Sequence, residues 1–149
     1  MTSSSKIVAI SGNFDPVHSG HLAYIKEAMK LGESLIIILT RDDQVESKKG
    51  YCFMDYDERK EILEAIIDNR GIVVENIDKD ITSCQSLRHY KPSIFAKGGD
   101  TWDSESLPEQ AVCKELGIKV IFGIDGFNKA QSSSKLMEKA VESYRNSTS

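Results

Sequence analysis

Several things are scarce in this chain of 149 residues. No apolar run approaches the roughly 20 residues that cross a bilayer, so no membrane span is expected. The amino-terminal MTSSSK is polar and lacks the apolar stretch of a signal peptide, which makes a cytoplasmic location the expectation. Cysteine occurs three times, at Cys52, Cys84 and Cys113. The number is odd, the spacing is wide and C-x-x-C is missing, so free thiols in a reducing compartment are expected. Three histidines and three cysteines at these spacings do not form a zinc motif. Positive charge is not in excess: 19 Lys and Arg stand against 23 Asp and Glu, for a net charge of -4. That argues against general affinity for nucleic acid or an anionic membrane surface. The G-x-x-x-x-G-K-[ST] loop is absent, and no G-x-G-x-x-G follows the first apolar run, which excludes two common nucleotide-binding designs. No nucleophile elbow is apparent.

What is present alternates. The length fits a single domain over residues 1–149, with an ordered core over 6–144 and frayed ends at MTSSS and RNSTS. KIVAI reads as a buried strand, and residues 18–30 as a helix stopped at Gly32. SLIIILT is a second strand whose continuous apolar character predicts cover on both faces. Residues 41–54 are polar and carry lysines, and read as a loop. Asp55 and Glu58 then form a capping box for a helix over residues 56–69, with Ile62, Leu63, Ile66 and Ile67 on one face. GIVVENI is a third strand. Thr82 and Gln85 suggest a cap for a short helix ending near His89, and Pro92 precedes a fourth strand, SIFAK. Residues 107–116 read as a helix with Pro108 in its first turn. Gly117 ends it, KVIFG is a fifth strand, and residues 132–144 are a last helix. Five strands alternating with helices predict an α/β fold: a Rossmann-like, doubly wound, five-stranded parallel sheet. Ligands in such sheets bind outside the carboxyl ends of the strands. The loops so marked are residues 12–19, 41–54, 97–106 and 123–131.

The first of these loops is the richest. In SGNFDPVHSGHL, Gly12 and Gly20 permit close backbone approach. His18 and His21 stand three residues apart, on one face of a helix's first turn, where unpaired N–H groups and the helix dipole favour an anion. Phosphate is the natural candidate. Lys48, Lys49 and Lys129 add charge of the right sign, and Arg59 is expected on the exposed first turns of its helix. SSSK, from Ser132, repeats the pattern of hydroxyls and a cation at a helix start. Histidine, lysine and backbone N–H groups without an evident nucleophile suit phosphoryl or nucleotidyl transfer by direct displacement.

GNFDPVHSGH resembles the H-x-G-H signature of the cytidylyltransferase-like nucleotidyltransferase superfamily. KKG with YDERKEILEAI, then KPSIFAKGGDTW, then QSSSKLMEKA resemble further motifs of that superfamily, in the same order. The KGGD stretch is most similar to the nucleotidyltransferase domain of ADP-heptose synthase. KKGYCF and Trp102 are similar to glycerol-3-phosphate cytidylyltransferase, although its arginine-led closing motif is replaced by NKAQSSS. The resemblance implies joining of an NTP to a phosphorylated small molecule, such as a sugar phosphate, with release of pyrophosphate. It favours AMP as the transferred group. A cytidylyltransferase making a CDP-linked alcohol, sugar or phosphonate is the alternative, and a non-catalytic nucleotide sensor a further one. His18, His21 and Lys49 are implied as catalytic. Gly12, Asn13, Phe14, Asp15, Gly20, Gly99, Asp100, Trp102, Lys129, Ser132, Ser133 and Ser134 would surround the nucleotide. Lys49 and Arg59 would meet the acceptor. Mg²⁺ is expected as cofactor, held mainly by the triphosphate, with Asp15 the nearest candidate carboxylate in sequence. The resemblance also suggests a homodimer.

Overall fold

A computed structural model describes residues 6–98, 107–124 and 133–148, and in the last stretch the side chains of residues 138–147 only. Five parallel strands form one sheet in the order β3-β2-β1-β4-β5. They are β1 (Ile7–Gly12), β2 (Ser34–Leu39), β3 (Gly71–Glu75), β4 (Ile94–Gly98) and β5 (Lys119–Ile124). Helices α1 (Ser19–Met29), α2 (Asp42–Lys49), α3 (Tyr56–Ile67), α4 (Cys84–Tyr90), α5 (Gln110–Leu116) and α6 (Ser133–Thr148) intervene or follow. The expected Rossmann-like α/β architecture is therefore present, with the chain reversing direction across the sheet between β1 and β4.

Strand alternation explains the two layers. Successive side chains of a strand point to opposite faces. Leu35, Ile37 and Leu39 of β2 join Val8 and Ile10 of β1 in a core with Ile25 of α1 and Leu63 and Ile67 of α3. Ile36, Ile38 and Ala9 join the opposite core, with Leu87 of α4 and Val112 and Cys113 of α5. The unbroken apolar run of β2 thus reflects burial on both sides. Among the described residues no helix is long and apolar enough to cross a membrane.

The segment 41–54 differs from the loop its polarity suggested. Residues Asp42–Lys49 form α2. Hydrophobic period could not reveal this helix, because Val45 is its sole apolar residue. A polar anchor stands in for the missing apolar stripe. The buried Gln44 amide accepts from the Arg41 backbone N–H at 2.9 Å and donates to Asp80 O at 2.7 Å and Asp78 O at 3.0 Å. Asp42 and Asp43 in the first turn and Lys48 and Lys49 in the last suit the helix dipole. Gly50, at φ 86°, ends the helix in the left-handed conformation that glycine adopts without steric cost.

Smaller differences occur at boundaries. Helix α3 stops at Ile67 and gives way to a 3-10 turn over Asp68–Arg70. Strand β3 ends at Glu75; the backbone N–H of Asn76 still donates to Leu39 O at 2.9 Å, while its side chain enters a buried network with Gln44, Ser83 and Ser86. Helix α5 starts at Gln110, so Pro108 precedes it, and α6 continues to Thr148, past the expected end.

Strand β3 starts against β2, with Gly71 opposite Leu35. A Cβ on Gly71 would collide with the Leu35 carbonyl oxygen. Gly71→Ala is expected to cost roughly 1–3 kcal/mol through this overpacking. Thermal denaturation should show a melting temperature lower by several degrees. An unchanged melting temperature would contradict the packing described.

Candidate active site

Two imidazoles cap α1. His18 precedes the helix in extended backbone, and its Nδ1 accepts the Gly20 N–H at 3.1 Å. His21 reaches back, and its Nδ1 accepts the His18 N–H at 3.2 Å. This is the reciprocal arrangement usually made by a serine and a glutamate, built here from histidines. A neutral imidazole that accepts on Nδ1 carries its proton on Nε2. The rings stack with centroids 3.8 Å apart and planes 23° apart. Burial, then the neighbouring His18, then the Lys49 ammonium push the His21 pKa down to about 3. Burial also lowers that of His18. Both rings are therefore neutral at physiological pH, and Nε2–H is the donor each retains for a ligand.

The same caps revise one expectation. Two of the N–H groups at this helix start are already bonded to imidazole nitrogen. Gly20 is buried, and its N–H is held by His18 in the cap. Phe14 lies beneath. It is buried, holds a left-handed backbone at φ 49° that aromatic residues seldom adopt, and packs its ring 4.7 Å from that of His21. A Cβ on Gly12 would come within 3.1 Å of the Phe14 ring. Gly12 thus leaves room for the residue that backs His21.

Asp15 and Arg59 are frame rather than contact surface. The Asp15 carboxylate, wholly buried, accepts the backbone N–H groups of Phe53 at 2.7 Å and of Met54. Lys49 Nζ donates to the Asp15 carbonyl at 2.8 Å and lies 3.8 Å from the carboxylate. Asp15 therefore orders the segment after α2, and its oxygens face protein donors rather than a metal ion or nucleotide. Arg59, expected on an exposed turn near the acceptor, is completely buried. Its guanidinium donates to Met54 O at 2.8 Å, Asn13 O at 2.8 Å, Thr40 O at 2.7 Å and the Asp42 carboxylate at 2.7 Å. It ties the carboxyl ends of β1 and β2 to the start of α2. That is a positioning role, and it corrects the exposed position expected for Arg59.

Across the carboxyl end of β1 from α1 lies a cavity of about 270 Å³. Ser11, Gly12 and Asn13 form its floor beside Thr40 at the end of β2. Lys48 and Lys97 bring cations to it, and residues 81–83 with Pro108 and Glu109 close the side toward α4 and α5. Burial depresses the Lys97 pKa, with Glu109 opposing the shift and Lys48 adding to it. Sequence reasoning did not single out Lys97, Ser83 or Glu109. Lys97 did carry a signal, as a lysine at the carboxyl end of an apolar strand. Glu109 lies in the PE pair that follows KGGD, but its place at this edge comes only from the fold, which brings the start of α5 here.

Residues 9–139 match the family described as Cytidylyltransferase-like. The chain belongs to the cytidylyltransferase-like family. It is 30% identical to the FAD synthase of Thermococcus sibiricus over 148 residues, covering 97% of this chain and 99% of that protein. It is 33% identical over 142 residues to the bifunctional protein HldE of Helicobacter hepaticus, covering 90% of this chain but 26% of that much longer protein. Its fold is similar to that of the lipopolysaccharide core biosynthesis protein from Thermoplasma volcanium GSS1, with a TM-score of 0.62, 25% identity, and coverage of 80% of this chain and 95% of that one. The kinship with ADP-heptose synthase read from the KGGD stretch agrees with the second of these relatives. The FAD synthases were not anticipated.

Within this cytidylyltransferase-like chain, Gly99, Asp100, Trp102, Lys129 and Ser132 lie outside the described residues. Ser133 and Ser134 open α6, and their side chains are likewise outside the description. Of the expected catalytic trio, His18 and His21 stand together. Lys49 is near enough to depress His21 electrostatically while its ammonium is tied to Asp15.

Two outcomes follow from this geometry. Arg59→Met removes the donor of three backbone carbonyls and leaves the Asp42 carboxylate without this partner, and should cost about 3 kcal/mol or more in urea denaturation. A loss below about 1 kcal/mol would show that the guanidinium is not the tie described. The second concerns pH. His21 binds a proton more weakly in the folded chain than in the unfolded one, so its contribution is fully present above about 6.5 and is lost as pH falls toward about 3. Stability of His21→Gln should therefore decline less steeply than that of the parent between those limits. Parallel declines would mean that His21 is not held neutral.

Proposed function

We propose that this protein transfers AMP from ATP to a phosphorylated small molecule such as a sugar phosphate, releasing pyrophosphate. The observation that carries the reading is the division of labour about Asn13. Two neutral imidazole donors stand on the α1 side of the β1 edge, and a lysine-bearing cavity lies on the α4 and α5 side. In-line displacement requires the entering oxygen and the departing pyrophosphate on opposite sides of the α-phosphorus. In our reading the triphosphate lies along the start of α1, and the acceptor phosphate enters from the cavity. An oxygen of the acceptor phosphate attacks the α-phosphorus, the bond to the bridging oxygen breaks, and pyrophosphate leaves with the electron pair. The acceptor is already anionic at neutral pH, so no general base is needed. His18 and His21 would donate Nε2–H to the oxygens on which charge builds. Lys48, Lys49 and Lys97 would offset the charge of two phosphorylated reactants meeting at one edge.

Mg²⁺ would enter with the triphosphate, as part of the substrate. The protein's own groups fit that division. Among the described residues no three His, Cys, Asp or Glu side chains gather as a metal cage. Asp15 already accepts two backbone N–H groups. The preference for ATP over CTP draws support from the relatives, since FAD, the product named for the FAD synthases, contains an adenylate.

Pyrophosphate release, assayed with each NTP and a panel of phosphate esters, tests the reading. Removal of one donor at a site of developing charge costs roughly 10²–10³ in kcat. His21→Ala should show a loss of that order with a smaller change in KM for the nucleotide. A kcat within a few-fold of the parent would refute the role. ATP should outperform CTP by on the order of 10²-fold if polar groups pair with the base edge. The opposite ranking would overturn the choice of nucleotide and leave the transfer chemistry standing.

A further inference from the structure

The cavity beside β1 carries side chains of both charge signs. Lys48 and Lys97 supply cationic donors. Two hydroxyls of the wall, those of Thr40 and Thr82, have their protons committed within the protein and are left as acceptors. Thr40 Oγ1 donates its single proton to Gly12 O at 2.9 Å. Thr82 Oγ1 donates toward Asp80 Oδ1 at 2.6 Å. Glu109 is a carboxylate, buried to 6% exposure, and one of its oxygens accepts the Ser83 N–H at 2.8 Å. An ionised carboxylate has about four lone-pair sites, so Glu109 retains acceptor capacity after holding Ser83. A molecule with an anion near the lysines and hydroxyl donors near Glu109 would pair both.

Resting on the transfer reading above, we infer that Glu109 is a specificity-determining residue that accepts hydrogen bonds from hydroxyl groups on the carbon chain of the acceptor, whose phosphate lies at Lys48 and Lys97. The acceptor class is therefore a phosphate ester of a polyhydroxylated chain. Free sugar or polyol phosphates and the ribityl phosphate of a flavin mononucleotide share that chemistry. A hydroxyl bonded to a carboxylate is held more strongly than one bonded to a neutral partner. A ligand lacking the hydroxyl leaves the Glu109 oxygens dehydrated and unpaired, which is where the discrimination arises.

The test is calorimetric binding of four probes: ribitol 5-phosphate, glucose 1-phosphate, FMN and n-pentyl phosphate, the last keeping phosphate and chain but no hydroxyl. At least one hydroxylated probe should bind the parent about tenfold or more tightly than pentyl phosphate. Glu109→Gln keeps an oxygen to accept the Ser83 N–H, so an unchanged melting temperature is expected. It should remove most of the advantage of the hydroxylated probe while leaving pentyl phosphate within about twofold. Lys97→Met should weaken all four alike. Tighter binding of FMN than of ribitol 5-phosphate would assign part of the recognition to the flavin ring; equal binding would assign it to the polyol. Failure of every hydroxylated probe to bind, pentyl phosphate binding as tightly as the others, or equal weakening of all probes by Glu109→Gln would each overturn the inference. Pyrophosphate release in the same preparations separates the two readings. Hydroxyl discrimination without release from any NTP sinks the transfer reading alone. Release with pentyl phosphate as efficient as with ribitol 5-phosphate sinks the role of Glu109 alone.

Discussion

The reciprocal hydrogen bonds between two imidazoles and the first turn of α1 fix nearly everything about the candidate site. They use Nδ1 of each ring and so decide which nitrogen carries the proton. They bring the rings to 3.8 Å, where two positive charges would repel strongly in a partly buried setting. They also satisfy N–H groups that a helix start otherwise leaves open. A site that meets polyphosphate usually suggests cations. Here the histidines contribute directed neutral donors, and the positive charge comes from lysines that α2 and β4 bring to the same edge.

That arrangement needs a rigid setting, and the sequence supplies it from buried charge. Arg59 binds two backbone carbonyls at the ends of β1 and β2 while pairing with Asp42 at the start of α2. Asp15 collects the chain after α2 through the N–H groups of Phe53 and Met54. Gln44 fastens α2 to residues 76–80. Each group is buried and hydrogen-bonded, as buried polar atoms must be to avoid a desolvation penalty. Together they place Lys48 and Lys49 on a short helix with almost no apolar face. Displacing Arg59 would loosen the histidine edge and the cavity floor together, since Asn13 belongs to both.

Elements held by apolar burial could be read from the residues alone. The five strands, α1 and α3 have long periodic or continuous apolar patterns, and these survive tertiary packing. Helix α2 could not be read this way, because its single buried aliphatic residue leaves no period and its anchor, Gln44, looks like any surface glutamine. Arg59 was misplaced for a related reason. Helical position alone does not show whether a guanidinium faces water or a set of carbonyls gathered from distant segments. The paired histidines announced themselves by spacing at a strand–helix junction. Glu109 did not, because its meaning depends on β4 and α5 closing one cavity with β1.

The chemistry of the site depends on the protonation state of that histidine pair. ¹⁵N-resolved imidazole spectra at pH 6, without ligand and with a non-hydrolysable ATP analogue and Mg²⁺, report it most directly. The predicted result is that the His21 ring is neutral with its proton on Nε2 in each state, and that its Nε2–H resonance shifts when the analogue binds. A His21 ring protonated on both nitrogens at pH 6, or carrying its proton on Nδ1, would contradict the account.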